Sequence, residues 1–170
     1  ILQAYKKSTL KYIGLTKGGL VYAQKENTPL TWMNASVYGR PVVQRDGMPV
    51  EINALWYNAI CFSVELADLA GDAGFVNRWK GMIKKVGDAF VSTFWNEGHD
   101  HLADVVKDGK PDWSVRPNIV IAVAMDYSPL NKEQQKSVLS VAKRKLLTKR
   151  GLRTLSPDNI RYKGVVEGGP

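Results

Sequence analysis

The sequence predicts an all-α fold, a ring of helical hairpins with short extended segments in its loops, and three observations predict it. Residues 49–69 and 73–95 form two long helical stretches that are apolar around most of their circumference, as in helices buried on several sides. Residues 131–147 instead set an apolar stripe, Val138, Val141 and Leu146, against Lys and Gln on the opposite face. The connections between them are polar and rich in aromatic residues. Apolar helices alternating with amphipathic ones, joined by such loops, are the pattern of inner and outer helices paired in a ring.

In chain order, residues 1–13 support a helix, with Leu2 and Tyr5 on one face, Lys6, Lys7 and Lys11 elsewhere, and Gly14, Gly18 and Gly19 to stop it. Leu20 to Ala23 reads as a short strand or extended segment, and Asn27-Thr28-Pro29 as a turn. Between Asn34 and Pro49 the Tyr-Gly, Arg-Pro and Asp-Gly pairs give an ordered loop or hairpin and no helix. A helix then starts at Pro49 or Glu51 and ends at Leu69, with Pro ahead of it and Gly71 behind. Ile52, Leu55, Ala59, Phe62, Leu66 and Leu69 make one stripe, while Trp56, Ile60 and Val64 cover much of the remainder.

The next helix repeats the pattern with Phe75, Trp79, Met82, Ile83, Val86, Phe90 and Phe94, and the turn from Gly71 to Gly74 makes the two an antiparallel hairpin. Residues 96–117 are irregular, with Asp108-Gly109 turning between two extended pieces. Asn118 to Met125 is nearly all apolar and predicts an interior helix, and Asn131 to Leu147 an outer one.

A chain of 170 residues is long enough to bury a core, as one domain or a large piece of one. The reading is a single partial domain over 1–170: the chain opens at Ile1 in a helix already under way, without an initiator Met, and stops at Gly168-Gly169-Pro170, where a turn should lead onward. No apolar run approaches the ~18 residues of a membrane span, so no membrane partner is expected. The single cysteine, Cys61, fits a reducing compartment, most simply the cytoplasm. Net charge is +8, from 24 Lys and Arg against 16 Asp and Glu. These cations are scattered, apart from a cluster from Lys143 to Arg153, and no nucleic-acid motif accompanies them, so nucleic acid is not expected as a partner.

Chemistry concentrates in residues 29–58. Glu51, Asn53, Trp56, Tyr57 and Asn58 stand in the first turns of a helix and mix aromatic faces with planar hydrogen-bonding groups. A hydroxyl-rich ring wants that mixture: a carboxylate or amide grips neighbouring hydroxyls while an aromatic face covers the C–H side. The competing reading is structural, with Glu51 capping a helix N-terminus and Trp32 and Trp56 as core residues. Glycoside cleavage with inversion needs an acid and a base about 6.5–9.5 Å apart. The loop carboxylates open to such roles are Glu51, Glu97, Asp104, Asp112 and Glu167. His99 and His101 have a ligand-like spacing without a further ligand set, and no phosphate loop or nucleophile elbow is present; neither metal nor cofactor is expected.

Five motifs in order carry a resemblance: Thr31-Trp32-Met33-Asn34-Ala35, Pro49 to Asn58, Ser114-Val115-Arg116-Pro117-Asn118, Gly151 to Ser156, and Glu167 to Pro170. Together they resemble the amylo-alpha-1,6-glucosidase region of glycogen debranching enzymes, over nearly the whole chain from about residue 20. The resemblance implies a partial (alpha/alpha)6 toroid, of which this chain would supply only some hairpins, and hydrolysis with inversion of alpha-1,6-linked glucose at branches of glycogen. It implies substrate contact for Trp32, Glu51, Trp56, Asp104, Arg116 and Asn118, beside Asn53, Tyr57 and Glu167 from the same motifs. One position departs from the family. Its motif commonly reads Thr-Trp-Met-Asp, that aspartate serving as acid, whereas this chain has Asn34, and an amide cannot donate an acid proton. Glu51 is the alternative acid, and the base is expected beyond Pro170. An isolated fragment is then expected to be inactive and to self-associate through uncovered apolar surface. The alternatives are a non-catalytic alpha-glucan-binding helical domain, which Asn34 favours, and another toroidal glycosidase such as a trehalase or glucoamylase.

Overall fold

The structure, a computed structural model, describes residues 1–8 and 10–165. It corrects the all-α expectation, and with it the toroid reading of the chain. Among the described residues helices hold 42% and strands 16%, the strands forming five small antiparallel sheets among five helices. The fold is mixed α/β. The reason lies in the turns. Tyr38-Gly39 and Asp108-Gly109 both place consecutive residues at positive φ, the geometry of a tight two-residue hairpin. Each hairpin zips only two or three residues per strand, too few for an alternating pattern to show in the sequence.

The N-terminal helix α1 is Leu2–Lys6, much shorter than the 1–13 helix expected. Ser8 and Tyr12 sit at positive φ, which breaks it. Beyond them β1 (Ile13–Leu15) pairs with β2 (Val21–Ala23). A hairpin of β3 (Ser36–Val37) and β4 (Arg40–Pro41) follows, then β5 (Met48–Pro49) leads directly into α2 (Val50–Leu69). The second long helix, α3 (Ala73–Phe94), begins at an Asp72 cap whose side chain accepts from the Phe75 amide. After it come β6 (Trp95–Asn96), β7 (His101–Leu102), β8 (Val105–Lys107) and β9 (Lys110–Asp112). The interior helix α4 (Asn118–Ala124) and the outer α5 (Lys132–Leu146) complete the helices, and β10 (Leu147–Thr148) and β11 (Gly151–Leu152) form the last hairpin. At α5 Asn131 and Gln134 form a reciprocal cap, and Lys143, Arg144 and Lys145 face the negative end of the helix dipole.

One core binds these elements. Trp79, Val86, Phe90 and Phe94 of α3 meet Ile60 of α2, Ile119 of α4 and Leu102 of β7, all fully buried. The face that α2 turns inward is not the stripe with most apolar residues. Leu55, Phe62, Leu66 and Leu69 are 44–78% exposed, while Val50, Ala54, Trp56, Ile60 and Cys61 are buried. No helix is long and apolar enough, among the described residues, to cross a membrane.

The sheet of order β5-β8-β9 decides where the polar groups go. Pairing Pro49 with Val105 brings the start of α2 beside Asp104. Gly47 makes the approach feasible: at φ +111° it pairs with Ala23, and a side-chain carbon there would collide with the Val106 carbonyl.

Candidate functional site

At the junction of β5, α2, β8 and α4 lies a buried polar cluster. Its centre is Arg45, 5% exposed. Nη1 donates to Glu51 Oε1 at 2.5 Å and Nη2 to Oε2 at 2.7 Å, a two-pronged grip on the carboxylate. Nε donates to Asp104 Oδ2 at 2.8 Å, and Nη2 also reaches Asp104 Oδ1 and the Asp104 carbonyl, each at 3.1 Å. The Thr31 hydroxyl accepts from Nη1 at 3.2 Å. Burial alone would lower the proton affinity of the guanidinium, but the hydrogen bonds and charges of Glu51 and Asp104 outweigh it, and its pKa lies above the ordinary arginine value.

Asp104, fully buried, also accepts from Asn118 Nδ2 at 2.6 Å. Asn118 Oδ1 in turn accepts from Trp32 Nε1 at 2.9 Å. Arg116 approaches Asp104 from another side, Nε to Oδ2 at 3.6 Å, and donates from Nη1 to the Thr154 carbonyl at 3.2 Å. Desolvation, reinforced by the nearby Arg161 and Arg45 charges, holds the Arg116 guanidinium below its ordinary pKa despite the opposing pull of Asp104. Beside it opens a cavity of about 220 Å³ lined by Met33, Val42, Gln44, Thr154 and Tyr162 among others.

Five of the expected site residues therefore meet: Trp32, Glu51, Asp104, Arg116 and Asn118. Trp32 remains 54% exposed at the outer end of the cluster, and Asn34, two residues on, is exposed. The others stand apart from it. Asn53 is fully buried and ties β2 to α2, accepting from the Val21 amide and donating to the Val21 and Pro49 carbonyls. Trp56 points into the core, where its indole donates to the Gly19 carbonyl and its ring packs on Tyr5 and Trp79. Tyr57 lies against Gly87, and burial together with the neighbouring Cys61 pushes its phenol up to about 12. Glu167 lies outside the described residues. His99 stacks on Trp113 at 4.0 Å, and His101 is held between the His99 and Trp113 carbonyls. No three His, Cys, Asp or Glu side chains converge as a metal-binding group among the described residues.

Sequence reasoning missed Arg45 and Thr31. The signal for Arg45 was indirect: Asp104 sits between apolar residues in Ala103-Asp104-Val105, and a carboxylate so placed demands a buried cation. A second polar strap closes over the cluster from the C-terminal side. The Ser114 hydroxyl donates to Asp112 at 2.6 Å and accepts from Asn159 and Arg161.

Residues 1–170 match throughout the family described as amylo-alpha-1,6-glucosidase. The chain belongs to that family. Its sequence is also similar to the glycogen debranching enzyme of Saccharomyces cerevisiae, 25% identical over 189 residues, a stretch that takes in 89% of this chain and 12% of that protein. The chain thus spans 12% of the length of this curated relative. Of the five motifs that carried the resemblance, the Trp32, Glu51 and Arg116-Asn118 motifs feed one cluster, the Gly151 to Ser156 motif supplies Thr154 at its edge, and Glu167 to Pro170 lies outside the described residues.

Proposed function

We propose that this chain is part of a cytoplasmic glycogen-debranching glucosidase that hydrolyses alpha-1,6-glucosidic branch linkages with inversion, and that its own share of the work is to bind the branched glucan. Family membership and similarity to a glycogen debranching enzyme support the reading, and the observation that carries it is the exposed Trp32 held by a buried ionic cluster. An aromatic face at the surface, with polar groups fixed behind it, suits a sugar ring. On this reading residues 1–170 belong to one partial domain, which the core shared by the described helices supports.

Catalysis by inversion requires a proton donor at the leaving oxygen. Asn34, at the position of the family's acid, has no such proton. Glu51 is poorly disposed to replace it, because both its oxygens accept from Arg45 and the side chain is 1% exposed. The reading is therefore that Glu51 and Asp104 hold the architecture, and that the chain alone releases no glucose from a branched limit dextrin. In the full-length protein Asn34→Asp raises alpha-1,6-glucosidase activity by about 10²-fold or more if an acid has been lost here. Glucose release that is measurable in the unaltered protein and unchanged or lower after Asn34→Asp would show that the acid lies elsewhere. A non-catalytic alpha-glucan-binding role is the second reading, and Asn34 favours it; a full-length protein that binds glucan yet releases no glucose, both before and after Asn34→Asp, would select it.

A further inference from the structure

We propose that Arg45, Asp104 and Asn118 are positioning residues, a relay that fixes the plane of the Trp32 ring for stacking against a sugar, an inference that rests on Trp32 contacting the glucan. Trp32 lies in a segment without regular secondary structure, and more than half of it is exposed. An exposed indole on such a loop would ordinarily turn about its side-chain torsions, and ordering it would weaken any ligand that stacks on it.

The donor and acceptor types of the relay remove that freedom. Arg45 can only donate, so it selects carboxylates. Asp104, fully buried and held by Arg45 at 2.8 Å, can only accept, so it selects the NH₂ end of the Asn118 amide at 2.6 Å. Asn118 cannot flip without setting its oxygen against that carboxylate. Its carbonyl is therefore left facing outward, and the indole N–H, a donor only, closes on it at 2.9 Å. Met33 Sδ, 3.5 Å from Asn118 Nδ2, further blocks the flip. Every link but the last is at most 5% exposed, so a buried charge sets the direction of a surface ring.

The chain grown with 5-fluorotryptophan reports this directly by fluorine NMR, since Trp32, Trp56, Trp79, Trp95 and Trp113 give one signal each and Trp32→Phe assigns the first. In Asn118→Leu the Trp32 signal should move toward that of free 5-fluorotryptophan while the other four stay in place. Affinity for a branched limit dextrin should fall about two- to tenfold. If Trp32→Ala leaves the affinity unchanged, the glucan-contact reading fails. If Trp32→Ala weakens binding but Asn118→Leu moves neither the Trp32 signal nor the affinity, the relay alone is overturned. Should Asn118→Leu disturb the four core signals, hydrogen exchange of the Trp32 indole in the unaltered chain decides. Protection beyond that of an exposed indole supports the relay, and exchange at the free rate overturns it.

Discussion

Replacing Arg45 by Met removes the charge at the centre of the cluster while keeping much of the side chain's length. Glu51 then loses both of its guanidinium partners, with its side chain 1% exposed. Asp104 keeps Asn118 and the more distant Arg116. Leaving a buried carboxylate without its cation costs about 3–5 kcal/mol, a large part of the roughly 5–15 kcal/mol by which domains are stable. For a chain of this size the midpoint of thermal unfolding should drop by on the order of 10 °C. The double variant Arg45→Met, Glu51→Leu removes the orphaned carboxylate as well, leaving Asp104 with Arg116, and should recover about 2 kcal/mol of the loss. Urea titrations followed by circular dichroism measure all three chains. A loss below about 1 kcal/mol for Arg45→Met, of the size an exposed salt bridge gives, would refute the claim that this cluster is buried and interdependent.

Gly47→Ala should destabilise the fold by about 1–3 kcal/mol, because φ is +111° there and the added carbon meets the Val106 carbonyl; an unchanged thermal midpoint would contradict the close approach. Asp112 is subject to burial, which raises its pKa, but the Ser114 donors and the Arg161 charge outweigh it and hold the carboxyl below the usual aspartate value. Its folded pKa is depressed, so its contribution is complete above about pH 3.9 and is lost as pH falls through the folded value. The stability difference between the unaltered chain and Asp112→Asn should therefore be constant near neutrality and shrink below about pH 4 in acid titrations. Burial pushes the Cys61 thiol up, with the Tyr57 hydroxyl only partly offsetting it, so alkylation at pH 8 should be about tenfold or more slower than in urea. Equal rates would mean that the α2 interior is open.

Helices were legible in the sequence where length and punctuation agreed. Pro49 before α2, Gly71 after it and Asn131 before α5 mark ends that the structure keeps within a residue or two. The strands were not legible, because a ladder such as Ser36–Val37 with Arg40–Pro41 has no room for a period. The expectation that α2 is buried on several sides failed on one of them for a different reason. Counting apolar residues favours the Leu55, Phe62 and Leu66 side, but the inward side is chosen by Asn53 and Trp56, whose polar atoms find the Val21, Pro49 and Gly19 backbone only there. Of the candidate site, Glu51, Arg116 and Asn118 were recoverable from motif and Asp104 as a loop carboxylate; Arg45 was not, since its partners lie in three separate segments and only the fold assembles them.

The cluster joins residues very unequally spaced along the chain, and that orders its assembly in time. Arg45 and Glu51 are six residues apart and can pair as soon as the first turn of α2 forms, whereas Asp104 is 59 residues beyond Arg45 and Asn118 is 86 beyond Trp32. During synthesis at roughly 5–20 residues per second, the Arg45–Glu51 pair waits on the order of seconds for its second carboxylate, and Trp32 longer still for its acceptor. The early pair leaves the Arg45 Nε donor open to capture Asp104 when β8 arrives, and the surface ring finds its acceptor only when Asn118 follows.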